Sequence, residues 1–252
     1  MVYLGDNVLE GGLSDFLNRF EDEQANATIV VKEVDDPRQF GVVEMQGPAV
    51  VRLVEKPAQP RSNLAIVGVY AFKPVIFEGI AQIAPSARGE YEITDAIQWV
   101  LDNEGQVIAH QLAGFWGDAA SPEDLLGINQ FYLDRIPLAV SGRVDDNTKL
   151  QEPVGVGSNT RVSGSDLTGP SIIGDNCVIE NCSLGPYVSV SDGCHIVNSN
   201  LRNCIIRENC HLQATELADS VVGQQVEIVG AGRGQGPPLS TIVGDTSRIR
   251  IA

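Results

Sequence analysis

Four stretches in the second half of the sequence share one rhythm. LTGPSIIGDNCVI, LGPYVSVSDGCHI, LRNCIIRENCHL and LADSVVGQQVEI begin at Leu167, Leu184, Leu201 and Leu217, at intervals of 17, 17 and 16 residues. Within them an aliphatic residue returns every five or six positions, as at Ile173, Ile179, Leu184, Val190 and Ile196. An amphipathic helix repeats its apolar face every three or four residues, so this spacing excludes it. Short strands that each bury one aliphatic and then turn do fit. Three of them make one coil of 17 residues, and successive coils stack like side chains upon like. The pattern predicts a parallel β-helix of hexapeptide repeats over residues 154–252.

All five cysteines (Cys177, Cys182, Cys194, Cys204 and Cys210) lie in this region, separated by 5, 12, 10 and 6 residues. Those spacings match no zinc pattern, and an odd number suits a disulfide framework badly. They are expected to be small buried side chains of the repeat.

Before residue 138 the grammar differs. GLSDFLNRF sets Leu13, Phe16, Leu17 and Phe20 on one helical face. ATIVVKEV, AVVRLVEKP and NLAIVGVYAF are strand-like runs that end in proline or polar turns. TDAIQWVLDNEG is a helix expected to be capped by Thr94 and stopped at Gly105, and SPEDLLGINQFYLDRI is one capped by Ser121 with Pro122 following. Helices and strands interleaved in this way predict an α/β domain with a mixed sheet. The expected organisation is an α/β domain over 1–138, a polar, turn-rich linker over 139–153, and the β-helix over 154–252.

The chain carries 17 basic and 33 acidic side chains, a net charge of −16, which argues against a nucleic-acid partner. No apolar run is long enough to span a bilayer and no basic-then-apolar leader opens the chain, so no membrane partner and a cytoplasmic location are expected.

Candidate chemistry collects at strand ends. MVYLGDN runs an apolar strand into Asp6-Asn7, and FWGDAAS places Asp118 between a strand and the Ser121-capped helix. Carboxylates at such edges face the crevice where α/β proteins bind ligands, and they suit Mg²⁺, which keeps positions free for phosphate. Asp-Asn is also an ordinary turn pair. Glu55-Lys56-Pro57 closes another strand. A lysine there can neutralise a phosphate and a glutamate can accept from sugar hydroxyls, although a surface Glu-Lys pair is equally ordinary.

The blocks YLGDN, FGVVE, VEKPAQPRSNLAIVGVYAF, RGEYEITDAIQWV and FWGDAASPEDLLGINQ occur in the order seen in the sugar-nucleotide pyrophosphorylases. The chain most resembles the long-form glucose-1-phosphate thymidylyltransferases of that family, which carry a left-handed β-helix after the catalytic domain. The resemblance implies nucleotidyl transfer. A sugar 1-phosphate oxygen attacks the α-phosphorus of a nucleoside triphosphate, dTTP for this subfamily, giving dTDP-glucose and pyrophosphate. It also implies that Asp6 and Asp118 hold Mg²⁺, with Lys56 as the third catalytic residue. Asn7, Gly41, Glu55, Lys56, Ile66 and Tyr70 fall where the family lines its sugar-phosphate pocket. Thr94 and Asp95 read as helix-start residues with no part in the chemistry.

Two departures from the family pattern stand out. Ala119-Ala120 follow Asp118 where the family has Thr-Gly, and no stretch of the 252 residues matches the glycine-rich, basic GxGTRLxPxT signature that cradles nucleotide phosphates. GAGRGQGPP lacks the GxGxxG spacing and a flanking strand. The expectation is therefore a nucleotidyltransferase domain without its N-terminal nucleotide-binding segment, inactive by itself. Two alternatives accompany it: a non-catalytic regulatory or oligomerising subunit, and a hexapeptide-repeat acyltransferase using His195 or His211 as base. The β-helix is expected to make the protein a homo-oligomer.

Overall fold

The computed structural model describes residues 1–22, 24–135, 139–232 and 237–251. It divides into two compact units, Met1–Asp118 and Ala119–Ala252.

The first unit runs β1 (Val2–Tyr3), β2 (Asn7–Leu9), α1 (Ser14–Asp22), β3 (Ala27–Glu33), β4 (Gly41–Gln46), β5 (Ala49–Glu55), β6 (Leu64–Phe72), α2 (Ile76–Gln82), α3 (Ile93–Glu104), β7 (Val107–Gln111) and β8 (Trp116–Asp118). Strands apolar on both faces belong in the middle of a covered sheet. That is where β3 and β6 lie, in the order β5–β4–β6–β3–β7, with β1 pairing antiparallel to β6 through Val2–Tyr70 and Tyr3–Val69. The sheet is mixed: β3 runs antiparallel to β6 and parallel to β7. Alternate side chains feed two cores. Val30, Val67, Val69 and Ala71 meet Phe16 of α1, with Leu13, Leu17 and Phe20 of the expected helical face packed around it. Ile29, Val31, Val43 and Ile66 meet Ala96, Ile97 and Val100 of α3. A separate antiparallel ribbon joins β2 to β8, setting Asn7 opposite Asp118.

The second unit opens with α4 (Pro122–Leu133). Ser121 accepts from the Asp124 amide, and the Asp124 side chain bonds back to the Ser121 amide, a complete capping box. The β-helix follows. Its inward positions repeat as anticipated: Ile173, Ile179, Leu184, Val190 and Ile196 are all at most 2% exposed. Registers are parallel from coil to coil, with Leu167 opposite Leu184, Leu184 opposite Leu201, and Leu201 opposite Leu217. All five cysteines are free and buried in the same core. Corners that need a left-handed backbone use asparagine, which tolerates it: Asn159, Asn176, Asn181, Asn198 and Asn209 have φ between 50° and 57°.

Two boundaries fall elsewhere than the sequence reading put them. Residues 139–153 are no linker. Arg143–Val144 and Lys149–Gln151 pair with the next coil, and Val144 and Leu150 pack on its core, so the polar stretch is the outward side of the first coil. Helix α4 belongs to the second unit, because it lies on strands Asn200–Ile206 and Glu216–Val222 and Gln130 donates to Asn203 Oδ1 at 2.8 Å. The expected boundary at 138 lies outside the described residues, as does the middle of the GAGRGQGPP stretch.

Because the β-helix core is close-packed from coil to coil, one truncation is felt strongly. Ile196→Ala is expected to lower unfolding free energy by about 2–5 kcal/mol, read as a shift in the denaturation midpoint. A loss below about 0.5 kcal/mol would mean that the core tolerates a void there.

Candidate active site

Strand β5 ends at Glu55, and β4 begins opposite it: Gly41 and Glu55 are register partners, and the Lys56 amide donates to the Phe40 carbonyl at 3.0 Å. Lys56 turns the chain with φ of 39° and is exposed. Gly41 is glycine for a steric reason. A Cβ there would lie 2.8 Å from Thr94 Cγ2, 3.0 Å from Glu55 Oε2 and 3.0 Å from Ile66 Cδ1. Those contacts show that β4, β5, β6 and α3 converge tightly at Gly41.

Glu55 is only partly buried, yet burial pushes its carboxyl above the usual range. Thr94, which donates to it, opposes that shift; Glu92 adds to it, and Lys56 and Arg88 oppose it. Arg88 reaches three carboxylates: Glu90 at 2.7 Å, Glu92 at 3.6 Å and Glu55 at 3.7 Å. Glu92 is itself buried and accepts from Ser86 Oγ at 2.8 Å. Tyr70, on β6 beside Ile66, is 6% exposed, and its phenol is pushed up to about 12 by burial and by the charges of Glu55 and Asp6. Tyr70 therefore feels the charges of both Glu55 and Asp6.

Asp6 stands exposed in the turn from β1 to β2. Its neighbour Asn7 is buried, and the Asn7 amide is already engaged. Nδ2 donates to Asp6 Oδ1 at 2.8 Å, while Oδ1 accepts from the Gly68 amide at 3.1 Å and from Trp116 Nε1 at 2.7 Å. Gly68 leaves the room for this, since a Cβ there would come within 2.8 Å of Asn7 Nδ2. Trp116 sits two residues before Asp118 on β8, with Phe40 tilted against it at 4.9 Å. One amide thus fastens the turn bearing Asp6 to the central strand β6 and to the strand bearing Asp118.

The structure accordingly brings Gly41, Glu55, Ile66 and Thr94 together, with Tyr70 four residues beyond Ile66 on β6. Asp118 lies across the β2–β8 ribbon from Asn7. Among the described residues no ready-made cluster of three or more His, Cys, Asp and Glu side chains is poised for a metal ion. Asp6, in the turn before β2, and Asp118, at the end of β8, are the two carboxylates expected to hold a metal ion. The reading of Thr94 as a helix cap is corrected: the cap is Glu92, and Thr94 is an inner residue of α3, 1% exposed, whose hydroxyl donates to Glu55 Oε2 at 3.2 Å. Arg88, Gly68 and Trp116 join the site through tertiary contacts that no local spacing signals, although all three stand in the family-like blocks VEKPAQPRSNLAIVGVYAF, RGEYEITD and FWGD. His195 and His211 meet edge to face, ring centroids 4.8 Å apart, on adjacent coils of the β-helix.

A family model described as nucleotidyl transferase matches residues 1–135. The chain is 35% identical over 254 residues to the glucose-1-phosphate thymidylyltransferase of Streptomyces antibioticus, covering 100% of this chain and 71% of that protein. It is 34% identical over 259 residues to the low-salt glycan biosynthesis nucleotidyltransferase Agl11 of Haloferax volcanii, with coverage of 100% and 71%. The bifunctional protein GlmU of Methanocaldococcus jannaschii is 32% identical over 251 residues, covering 80% of this chain and 58% of that one.

Proposed function

This chain belongs to the nucleotidyl transferase family of enzymes, and from that premise we propose that its first unit binds a sugar 1-phosphate for transfer to a nucleoside triphosphate. The observation that carries the reading is the convergence beside Gly41, where the Glu55 carboxylate, a side-chain-free stretch of backbone and Ile66 meet. Glycine there lets Glu55, Thr94 and Ile66 close against β4, since a Cβ would collide with all three. Glu55 then accepts from ring hydroxyls, Ile66 and Tyr70 pack on the ring, and Lys56 and Arg88 supply positive charge to the phosphate. The names of the Streptomyces relatives favour glucose 1-phosphate and dTTP as the pair.

In the proposed reaction an oxygen of the sugar phosphate forms a bond to the α-phosphorus, and the bond from that phosphorus to the β-phosphate's bridging oxygen breaks, releasing pyrophosphate. The work of the protein is positioning and charge neutralisation. Asp6 and Asp118 would hold Mg²⁺, which when bound offsets charge on the phosphoryl oxygens. Asn7 orients Asp6 and Glu55 fixes the sugar.

Calorimetric titration of the 252-residue chain tests the binding half directly. Glucose 1-phosphate should bind, and inorganic phosphate and glucose should bind more weakly. Gly41→Val should weaken the sugar phosphate by about ten-fold or more, since the new side chain would collide with Thr94 and Ile66 and displace the Glu55 carboxylate. Equal affinity in wild type and variant would take Gly41 and Glu55 out of sugar binding.

Self-association is proposed for the β-helix, which presents long flat faces and open ends. Light scattering at micromolar concentration should give a mass above that of one chain; a clean monomer would sink this part of the reading.

A further inference from the structure

We propose that Thr94 is a positioning residue for sugar recognition: it holds the Glu55 carboxylate in place beside Gly41, occupying one oxygen and leaving the other for a ring hydroxyl. The inference rests on the sugar-phosphate reading above.

Three facts converge on Thr94. It is 1% exposed inside α3, where a hydroxyl without a partner would be costly. That hydroxyl donates to Glu55 Oε2 at 3.2 Å from the helix packed behind β5. Its methyl also fills the space in which a Cβ at position 41 would lie. Thr94 therefore fixes the direction of the carboxylate and packs it against β4. The other oxygen, Oε1, faces Arg88 at 3.7 Å, beyond hydrogen-bond length. A sugar hydroxyl can donate to that oxygen.

A pH dependence follows. The charged and titratable groups facing Glu55 are Glu92 at the start of α3, Arg88 in the loop before it, Lys56 at the end of β5 and Tyr70 on β6. Burial and Glu92 favour the protonated acid, whereas Thr94, Lys56 and Arg88 favour the carboxylate. Removing the Thr94 hydroxyl takes away a donor to the charged form, so Glu55 should protonate at higher pH. Sugar binding that needs the carboxylate as acceptor would be lost earlier as pH falls.

Thr94→Val keeps the shape and deletes the hydroxyl; Thr94→Ser keeps the hydroxyl and deletes the methyl. Carboxyl carbon NMR of Glu55 in the free chain should show an upward shift of the titration midpoint in Thr94→Val and a return toward wild type in Thr94→Ser. Calorimetry with glucose 1-phosphate across the same pH range should show Thr94→Val weaker by about ten-fold near the shifted midpoint, with the gap narrowing at higher pH. The phosphate's own titration is common to all three proteins and cancels in the comparison. An unchanged Glu55 midpoint in Thr94→Val overturns the positioning role. Absence of glucose 1-phosphate binding by the wild type at every pH overturns the sugar-phosphate reading and the recognition role built on it, while the NMR midpoint still reports whether Thr94 governs Glu55.

Discussion

Purified as these 252 residues, the protein is expected to release no measurable pyrophosphate from dTTP and glucose 1-phosphate. A triphosphate brings several negative charges to a chain whose own net charge is −16. In water-poor clefts such charges are tolerated only when backbone amides and cations converge on them. No stretch of the sequence has the glycine-rich, basic pattern that would provide that convergence. At the candidate site the available cations are Lys56, which is exposed, and Arg88, which already serves three carboxylates. Sugar-phosphate binding without turnover is therefore the expected combination. Coupled pyrophosphate detection reads it. A rate in the ordinary enzymatic range, about 1–10³ s⁻¹, would show that the residues present suffice to cradle the triphosphate.

The second large effect concerns the two aspartates. In an active form, made by joining these residues to the phosphate-cradling segment of a relative, Asp6→Asn or Asp118→Asn is expected to cut turnover by about 10²-fold or more, as is typical when one element of a preorganised charge clamp is lost. The fold should survive. Asp6 is exposed in a turn, and its substitution by asparagine keeps the side chain's shape. The Mg²⁺ concentration needed for half-maximal rate should rise in both variants, because a carboxamide is a poorer ligand for a hard cation. Near-normal rates with an unchanged Mg²⁺ requirement would take that residue out of the metal site.

These expectations draw on two kinds of information, and the chain separates them clearly. Local chemistry with a short period was legible. The recurrence of aliphatics at Ile173, Ile179, Leu184, Val190 and Ile196 specified the β-helix core, because each strand buries one side chain and every coil repeats the last. The continuous apolar runs of β3 and β6 were legible as strands, and Ser121-Pro122 marked the start of α4, since a cap satisfies amides within three residues of itself. The asparagines at the coil corners were equally available as a signal and went unread.

Tertiary packing alone decided the rest. Thr94 looks like a cap in sequence because threonine before an apolar run is a common helix start. Only the approach of α3 to β5 turns its hydroxyl toward Glu55, 39 residues away. The role of Asn7 depends on Gly68 and on Trp116, 109 residues distant, and no spacing rule links an amide to donors so far along the chain. Residues 139–153 read as a linker because outward positions of a coil are as polar as a loop. The few inward ones, Val144 and Leu150, acquire meaning only when the next coil stacks beneath them. Periodic burial is written locally because each repeat meets the same neighbour. A binding site is not, because its members come from strands and helices whose meeting is fixed by the whole sheet.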